Sequence, residues 1–334
     1  MKISHSALED NAKCGELFRL KRIIKNDPRI LAIRKQPVYS LVLGTIVHTA
    51  LEGYYLHGID PLESLKVYWQ AELANAGCAN LAGKLEVVGA DICSLLEKAS
   101  PKYVGPGAIR TKGGNISAKP QSTPAWGEQA AAMNLESRCI AIDQMVASNT
   151  DEDSPWRSLQ FTQVYAESIF ILTGWKNPSF IKSTIAVEKA FNLKFPLNLP
   201  VDIYFTGKID LICKTVDGKT AIVDHKTSGG DPPPDWKVGM NDQLLLYAFA
   251  HFLTTGEIVD YIAIHHIRSK RIIPVRFELE MAEEVILRHE AALRGIVAES
   301  FVKQNPVNYG SACMNGDRPC PFLAYCHPKY FIQM

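Results

Sequence analysis

The spacing of apolar residues divides the chain into a helical first half and a second half rich in short strands. In the first half, apolar positions recur every three or four residues, which is the period of an amphipathic helix. Polar and turn-forming residues separate these stretches. The pattern predicts helices over residues 4–25, 44–56, most of 61–99, 129–147 and 161–173.

The pattern changes near residue 180, where β-branched and aromatic residues occur in short runs between turn residues. Two stretches with helical spacing, residues 241–253 and 282–303, interrupt these runs. We find no internal repeat, and the length of 334 residues suits one α/β domain with elaborations. Strands are predicted over residues 180–195, 203–215, 220–227, 259–266 and 271–279.

Between residues 100 and 128 the periodicity stops, and Pro, Gly and Ser take over. This segment carries four basic residues, among them Lys112, and its first acidic residue is Glu128. We expect a long flexible loop here. A basic loop beside an active site could guide a nucleic-acid strand, and a plain flexible insertion is the simpler interpretation.

Composition indicates a globular protein and says little about its partners. Hydrophobic residues make up 47% and charged residues 21%, which excludes a disordered or collagen-like chain. The 36 basic and 35 acidic residues leave a formal net charge of +1, so any surface for a polyanion must be local. No apolar run reaches the length of a membrane span, and acidic residues follow the N-terminus closely. We therefore expect no membrane partner and a cytoplasmic location.

The most informative stretch is the pair of strands around Asp217-Gly218, which predicts a β-hairpin. A two-residue loop would place Asp210 and Asp224 on opposite faces of this hairpin. If the loop instead holds three residues and Gly218 takes the left-handed conformation of a G1 bulge, Asp210 faces Asp224 directly. This second register also makes one face apolar, with Ile209, Leu211, Cys213, Ala221 and Val223.

The other face of that hairpin carries two carboxylates and two lysines, Lys208, Asp210, Asp224 and Lys226. Two like charges at cross-strand distance repel each other unless a cation neutralises them, and carboxylate oxygens suit Mg²⁺ or Mn²⁺. The register therefore predicts a metal site on this face. The alternative is an exposed hairpin whose polar face meets water, with Lys226 weakly paired to Asp224.

Three other elements carry residues that such a metal site needs. On the second predicted helix, Gly44 and His48 share one face, where His48 could bind metal through a neutral ring nitrogen or pack in the core. Gln243 and Tyr247 lie four apart on the helix after the hairpin, where they could orient water or phosphate or belong to an ordinary amphipathic helix. Glu188 lies on the preceding strand and could join the acidic cluster.

Four motifs thus follow one another along the chain: Gly44-x3-His48-x2-Leu51-Glu52, Gly207-x-Ile209-Asp210, Asp224-x-Lys226-Thr227 and Gln243-x3-Tyr247. Together they resemble the PD-(D/E)XK nuclease superfamily, and specifically its RecB-like branch. The resemblance covers residues 1–334 as a single nuclease domain, but it leaves the insertion at about 100–160 unexplained. It implies an α/β fold with a restriction-endonuclease-like mixed β-sheet flanked by helices, and with a large helical elaboration over residues 57–175.

The resemblance implies an Mg²⁺- or Mn²⁺-dependent deoxyribonuclease, most closely an exonuclease acting on single-stranded DNA or DNA ends. Such proteins act in recombination, repair, phage replication or CRISPR adaptation. Lys226 is expected to orient and deprotonate the attacking water or to stabilise charge on the phosphate. The implied metal ligands are His48, Asp210, Asp224 and the backbone carbonyl of His225. The further catalytic candidates are Gln243, Tyr247 and Glu188.

The cysteines add an independent feature, because one lies near the start of the chain and three cluster near its end. In RecB-like nucleases with an iron-sulfur cluster, including AddB-type and CRISPR-adaptation exonucleases, one early and three late cysteines hold a [4Fe-4S] centre. The resemblance implies such a module here. The wide C-x6-C-x5-C spacing keeps zinc as the rival metal, with His327 as a substitute ligand. The cluster ligands are Cys14, Cys313, Cys320 and Cys326.

Residues 13–35 form a basic stretch with eight basic residues against two acidic ones. This stretch is either a solvated helix face or a surface that contacts phosphates. The chain has no Walker A sequence, so a helicase or recombination protein would be a separate partner. The candidate DNA contacts are Lys21, Arg22, Lys25 and Lys112.

Two other functions are compatible with the sequence. A catalytically silent iron-sulfur protein could keep the fold and serve as a DNA-binding or scaffold protein. Such a protein has no physical need for Asp210, Asp224 and Lys226 together. A nuclease that acts on RNA would carry the same residues, and the sequence does not separate it from a DNA enzyme.

Overall fold

The computed structural model describes residues 1–98, 126–301, 313–315 and 318–327. Most of the predicted loop over residues 100–128, including Lys112, therefore lies outside the described residues. The exception is residues 126–128, which begin a helix rather than end a loop.

The helices of the described residues form three groups along the chain. The first group contains α1 (His5–Lys13), α2 (Gly15–Phe18) and α3 (Pro28–Lys35). The second contains α4 (Tyr39–His57), α5 (Pro61–Asn75), α6 (Ala82–Lys98), α7 (Trp126–Asn149) and α8 (Phe161–Leu172). The third contains α9 (Asp235–Gly239), α10 (Asp242–Thr255), α11 (Leu279–Val297) and α12 (Leu323–Cys326).

The strands form one six-stranded mixed sheet and one small two-stranded sheet within the described residues. The large sheet contains β1 (Lys2–Ile3), β2 (Ile181–Lys194), β3 (Tyr204–Thr215), β4 (Thr220–Lys226), β5 (Tyr261–His266) and β6 (Arg271–Arg276). The small sheet contains β7 (Met314–Asn315) and β8 (Arg318–Pro319).

The long strand β3 organises the large sheet. One edge of β3 pairs with β2 in antiparallel fashion over almost the whole length of β3. Its other edge pairs first with β1, in parallel, and then with β4, in antiparallel fashion. Strands β4 and β5 are parallel, and β6 completes the sheet in antiparallel fashion. Helices cover this mixed sheet, which confirms the predicted α/β class.

The predicted helix over residues 4–25 is wrong as a single element. It ends at Lys13, because Cys14 adopts an extended conformation with φ −165° and ψ 118°. The short helix α2 follows, and a π-helical turn, Arg19–Ile23, completes the segment. The break turns the chain, so that Cys14 lies between two helices rather than within one.

The hairpin of β3 and β4 has the predicted register. Leu211 pairs with Val223 and Cys213 pairs with Ala221, as the three-residue loop requires. Gly218 takes φ +81°, and its N–H donates to the Thr215 carbonyl at 2.9 Å. The left-handed glycine therefore fixes the register, as the G1 bulge predicts.

The prediction that one face of the hairpin is apolar and that the other face carries the charged residues is wrong. Leu211, Cys213, Ala221 and Val223 share one cluster, but Ile209 packs with Ile212 and Ile222 in another. Both faces are therefore apolar along the paired part of the hairpin. The side-chain alternation breaks at Asp210, which lies opposite Glu188 between the pairs Val187–Leu211 and Lys189–Ile209.

Two large apolar clusters lie in the described residues. One joins the large sheet to α10, α11 and the N-terminal residues, with Leu8 and Phe18 among its members. The other joins α4 to α8 around Trp69, whose ring contacts Trp156, Phe161 and Tyr165. The second cluster joins α4 to its neighbouring helices, and Tyr55 of α4 packs against the sheet cluster that contains Leu211 and Val223, which brings the predicted residue His48 to the hairpin.

No single helix in the described part of the chain is long and apolar enough to cross a membrane. One bent pair, Pro28–Lys35 with Tyr39–His57, passes that test by length and composition alone.

Candidate metal and active site

Asp210 and Asp224 lie side by side where β3 and β4 separate. The last pair of the ladder is Leu211 with Val223, so the two aspartates are the next residues beyond it. The backbone N–H of His225 donates to Asp210 Oδ2 at 2.8 Å. The end of the ladder thus leaves the two carboxylates near enough for Asp224 to raise the pKa of Asp210, although the group of ligand atoms within 4.8 Å contains Asp210 and not Asp224.

Glu188 joins Asp210 from the neighbouring strand β2. Its φ of +47° is a left-handed conformation that a residue other than glycine rarely adopts. Such backbone strain concentrates at functional sites, where a local irregularity re-aims a side chain. Here Glu188, Asp210 and His48 each offer a ligand atom, and these three atoms lie within 4.8 Å of one another.

His48 reaches this group from the middle of α4. Its Nε2 lies 2.9 Å from the backbone carbonyl of His225, so Nε2 carries the proton and donates. Its Nδ1 lies 3.6 Å from Asp210 Oδ2 and keeps a lone pair on the acidic side. A hydrogen-bonded imidazole with one free lone pair is the usual form of a metal-binding histidine.

The helix that carries His48 passes close to the end of β4 at Gly44. A Cβ added to Gly44 would lie 3.6 Å from Thr227 Oγ1, which is an ordinary van der Waals distance. Gly44 therefore lies near the end of β4, and the space there would also hold an alanine.

Asp224 and Lys226 form a tight ion pair at the end of β4. The Asp224 side chain is almost fully buried, and Lys226 Nζ lies 2.7 Å from its Oδ2. That oxygen makes no hydrogen bond of good geometry within the described residues, so the contact is one of charge. A buried carboxylate oxygen with spare lone pairs is what a cation ligand needs.

Lys226 is held from its other side by α10. Its Nζ donates to Gln243 Oε1 at 3.0 Å, and Gln243 Nε2 donates to Tyr247 Oη at 2.9 Å. The predicted pair Gln243 and Tyr247 therefore lies beside the hairpin lysine rather than facing solvent. This chain of donors orients Gln243 and limits the positions open to the ammonium group.

The electrostatics of this group favour the binding of a cation. Burial, followed by the nearby carboxylate of Asp224, raises the pKa of Asp210 to about 6, and His48 only partly opposes this. Burial also raises the pKa of Tyr247 to about 12, so its phenol is neutral and can serve as a donor. Two carboxylates and an imidazole around one space match the ligand preference of Mg²⁺ or Mn²⁺.

The His225 side chain was not singled out by the sequence analysis, which considered only its carbonyl. Its Nδ1 lies 3.1 Å from His265 Nδ1 on the parallel strand β5, so one ring donates and the other accepts. The ring also stacks on Tyr55, with centroids 5.6 Å apart and planes at 9°. Burial, followed by the neighbouring His265, holds the pKa of His225 well below its usual range.

A second group that the sequence analysis missed ties the helices to the end of β4. Arg268 pairs with Glu167 of α8, and both side chains are nearly buried. Tyr39, at the start of α4, also donates to Glu167. Arg268 Nε donates to the Thr227 carbonyl at 2.6 Å, one residue beyond Lys226. Nothing in the local sequence around Glu167 indicates this role.

The cysteines predicted as cluster ligands lie near the N-terminal segment and in residues 313–326, and their joint role as ligands stays a prediction, because the group of ligand atoms within 4.8 Å among the described residues contains none of them. The N–H of Cys320 donates to the Cys313 carbonyl at 2.9 Å. Burial raises the pKa of the Cys320 thiol, and the neighbouring Cys313 and Cys14 contribute in the same direction. Cys326 packs with Cys320 against an apolar cluster built on Leu20, Ile30 and Phe322.

Two residues that were predicted to contact phosphate, Lys21 and Arg22, form ion pairs with the carboxylate of Asp10. Lys21 Nζ lies 2.7 Å from Asp10 Oδ1, and Arg22 lies 3.3 Å from Asp10 Oδ2. Asp10 is buried, so part of this basic charge compensates an internal carboxylate. Lys25 is exposed on the same segment, and its role as a DNA contact stays a prediction.

The fold and the site define a class, that of α/β proteins with a carboxylate cluster at the end of a central hairpin. A family model of the PD-(D/E)XK nuclease superfamily matches residues 126–327 of the chain. The protein belongs to the PD-(D/E)XK nuclease superfamily. The match includes strands β2 to β8 and α10 but neither β1 nor α4. The position of His48 beside the hairpin therefore comes from the structure alone. No curated protein matches the chain.

Membership of this superfamily defines the protein as a nuclease of a type that uses divalent metals and binds DNA as substrate. The acidic group of His48, Glu188 and Asp210 is a candidate site for such a metal.

Proposed function

We propose that the protein is a metal-dependent deoxyribonuclease of the RecB-like branch, and that it acts as an exonuclease on single-stranded DNA or DNA ends. One observation carries this proposal. Ligand atoms of His48, Glu188 and Asp210, from three separate elements, lie within 4.8 Å of one another. They adjoin the ion pair of Asp224 and Lys226, so a metal site and a candidate catalytic lysine occupy one place.

Mg²⁺ or Mn²⁺ would be held by His48 Nδ1 and by the carboxylates of Asp210 and Asp224, with Glu188 as a further ligand. The His225 carbonyl, which the resemblance implies as a ligand, accepts a hydrogen bond from His48 Nε2 on the other side of the ring and would instead orient the imidazole. The buried Asp224 carboxylate and the raised pKa of Asp210 support this fit. When bound, such an ion polarises the phosphoryl oxygens and makes a water molecule more acidic. The ion also removes the repulsion between the two buried carboxylates.

Lys226 would orient the attacking water and stabilise charge on the phosphate. Hydrolysis adds the water oxygen to phosphorus and releases one sugar oxygen, so negative charge increases on the phosphoryl group. The ammonium of Lys226 is directed at this place by Asp224 on one side and Gln243 on the other. Tyr247 keeps Gln243 in the orientation that accepts from Lys226.

If the protein belongs to the RecB-like branch, we also propose an iron-sulfur cluster. Its ligands would be Cys14, Cys313, Cys320 and Cys326. The proposal of a cluster here rests on the resemblance and on the nearness of Cys313 to Cys320, whose backbones share a hydrogen bond. The group of ligand atoms within 4.8 Å of one another among the described residues contains no cysteine. Zinc is the rival at this place. We also propose that residues 1–334 act as one nuclease domain, with residues 57–175 as its helical elaboration.

The exonuclease proposal is tested with end-labelled single-stranded and duplex DNA in Mn²⁺, Mg²⁺ or EDTA. We expect cleavage that requires metal and that is lost in Lys226→Ala and Asp224→Ala. Lys219→Ala is the matched control, because Lys219 lies in the turn of the same hairpin and pairs with Asp260. Its activity should equal that of the wild type.

The products distinguish the alternatives. Stepwise shortening from one labelled end supports an exonuclease, whereas internal fragments from circular DNA would contradict it. Binding without cleavage by the wild type would favour the silent scaffold. Competition with unlabelled RNA of the same sequence reports whether DNA is the preferred substrate.

A further inference from the structure

Two buried histidines lie next to the candidate metal site on neighbouring strands. His225 of β4 and His265 of β5 are partners in the parallel register, and they are 4% and 1% exposed. The preceding pair on the same face, Val223 and Ala263, belongs to an apolar cluster. Imidazoles in such surroundings lose their hydration, so the presence of two of them calls for hydrogen bonds and for a reason.

The two rings share one hydrogen bond, and burial determines its direction. His225 Nδ1 lies 3.1 Å from His265 Nδ1, and His225 Nε2 is buried without a hydrogen-bond partner among the residues that the structure describes. If His225 carried its proton on Nε2, a buried N–H would lack an acceptor, which proteins avoid more strictly than an unused lone pair. The proton of His225 therefore lies on Nδ1, which donates to His265.

His225 also contacts α4 with both its ring and its carbonyl. The ring stacks on Tyr55, with centroids 5.6 Å apart and planes at 9°. The same ring lies against His48 in a T-shaped arrangement, with centroids 5.9 Å apart, and the His225 carbonyl accepts from His48 Nε2 at 2.9 Å. Tyr55 and His48 are seven residues apart and therefore lie on one face of α4. Through these contacts His225 joins the face of α4 that carries His48 to the end of β4.

The orientation of the His225 ring depends on His265. Without that acceptor, the N–H of His225 would be a buried donor with no partner, which is costly enough for the ring to turn. A turned ring would lose its stacking on Tyr55 or press on His48. The direction of His48 Nδ1, which lies 3.6 Å from Asp210 Oδ2, thus depends on a residue of another strand.

We infer that His265 is a positioning residue for the metal ligand His48, and that it acts through the imidazole of His225. This inference rests on the proposed function and adds two residues to the machinery of the same site. A histidine pair that only stabilised the sheet would have no effect on metal affinity. Hydrogen-bonded groups behind a ligand ring matter because rotation of the ring moves its lone pair away from the ion.

Binding of Mn²⁺ in the absence of DNA tests this inference without relying on turnover. The electron paramagnetic resonance signal of free Mn²⁺ decreases on binding and gives the dissociation constant of the full chain. His265→Leu removes the acceptor of the His225 N–H. His265→Asn keeps an acceptor, because Asn Oδ1 is the same number of bonds from the backbone as His Nδ1. His251→Leu is the matched control, since His251 is a buried histidine on α10.

His265→Leu should weaken Mn²⁺ binding about ten-fold, which is the lower end of the loss that follows removal of an outer partner of a metal ligand. His265→Asn should recover most of that loss, and His251→Leu should leave the affinity unchanged. The decisive comparison uses the His48→Ala background. There His265→Leu should have no further effect, because the ligand through which it acts is gone.

Two results would overturn the inference while leaving the nuclease proposal intact. One is an unchanged affinity in His265→Leu, and the other is an equal loss with and without His48. Thermal unfolding checks the fold of each variant. If His265→Leu does not fold, Tyr55→Leu takes its place with the same expectations, because it removes the stacking partner of His225 on α4.

Failure of the wild type to bind Mn²⁺ is a different result. It would count against the proposed metal-dependent function itself, and the inference would fall with it.

Discussion

At the scale of single residues, Asp210 shows how function is obtained at the expense of stability. Its carboxylate is buried beside Asp224 and has a raised pKa of about 6. Without a cation, the ionised form is therefore unfavourable in the folded protein. Residues that violate the ordinary rules of burial in this way are expected at active sites.

Asp210→Asn should stabilise the metal-free protein at pH 7 while it abolishes hydrolysis. The free energy of unfolding is expected to rise by up to about 3 kcal/mol, because the pKa of Asp210 is about 6 instead of 3.8. A raised pKa means that the folded state binds the proton more tightly. The penalty is thus present above about pH 6 and disappears as the pH falls toward 4.

Urea unfolding in EDTA at pH 7 and pH 4 measures this effect. The gain from Asp210→Asn should be present at the first pH and absent at the second. Asp217→Asn in the same hairpin is the control, because a hydrogen bond from Thr215 lowers the pKa of that carboxyl. An equal gain in both variants would rule out the burial of Asp210 as the cause.

The loss of hydrolytic activity at low pH should reflect protonation of the Asp210 carboxylate. Hydrolysis is expected to fall as the pH drops through about 6, because protonated Asp210 cannot bind a cation. A bound cation competes with the proton, so raising the Mn²⁺ concentration should move this loss to lower pH. Initial rates at several Mn²⁺ concentrations measure the midpoint, and a midpoint independent of metal would contradict the assignment of Asp210 as a ligand.

At the scale of elements, the hairpin shows what local sequence can and cannot predict. The register follows from Gly218, because the left-handed turn residue is visible in the sequence itself. The break in alternation at Asp210 depends on Glu188, which lies on another strand, and on helices that cover both faces. Such long-range contacts leave no periodic signal. The prediction that one whole face of the hairpin carries the charged residues was therefore wrong, although the aspartates and Lys226 assigned to that face do lie near one another.

Gly207 illustrates how an element positions a catalytic candidate. A Cβ added there would lie 2.7 Å from Phe191 Cζ and 3.3 Å from Tyr247 Cε1. Gly207→Ala should therefore displace both rings, lower the free energy of unfolding by about 1–3 kcal/mol and slow hydrolysis. Thermal unfolding and initial rates test this. The control is Gly83→Ala, which meets no atom within 4 Å and should not destabilise.

The ion pair of Arg268 and Glu167 positions α4 and α8 against the end of β4. Glu167→Gln should cost about 3 kcal/mol, because it leaves a buried guanidinium without its counter-charge. Replacing both residues, by Glu167→Leu and Arg268→Met, should recover most of that stability. Activity should stay low in the double variant, since Tyr39 and the Thr227 carbonyl still lack their partners.

Urea unfolding and initial rates of the three proteins separate the two effects. Recovery of both stability and activity in the double variant would show that the pair serves stability alone. Recovery of stability without activity supports a positioning role for the helices that carry His48.

At the scale of the whole molecule, the two ends of the described chain are joined. Strand β1 pairs with β3, and Tyr325 donates to Asp27 at 3.1 Å. The cysteines, one early and three late, predict a shared metal centre between these ends, and that centre stays a prediction. The sequence did not predict the break at Cys14, because the backbone angles that end α1 there have no signature in the apolar spacing.

If those cysteines hold an iron-sulfur cluster, the cluster joins residue 14 to residues 313–326 and stabilises both ends. Anaerobically purified protein should then be brown and contain iron, and Cys320→Ser should lose the iron and melt at a lower temperature. Cys78→Ala is the matched control, because Cys78 is buried among the helices around Trp69. It should lower the melting temperature and keep the iron. A colourless wild type that contains zinc would show that the cysteines form a zinc site instead of an iron-sulfur cluster. Equal iron loss in both variants would show that iron is lost through general unfolding and not through the loss of a ligand.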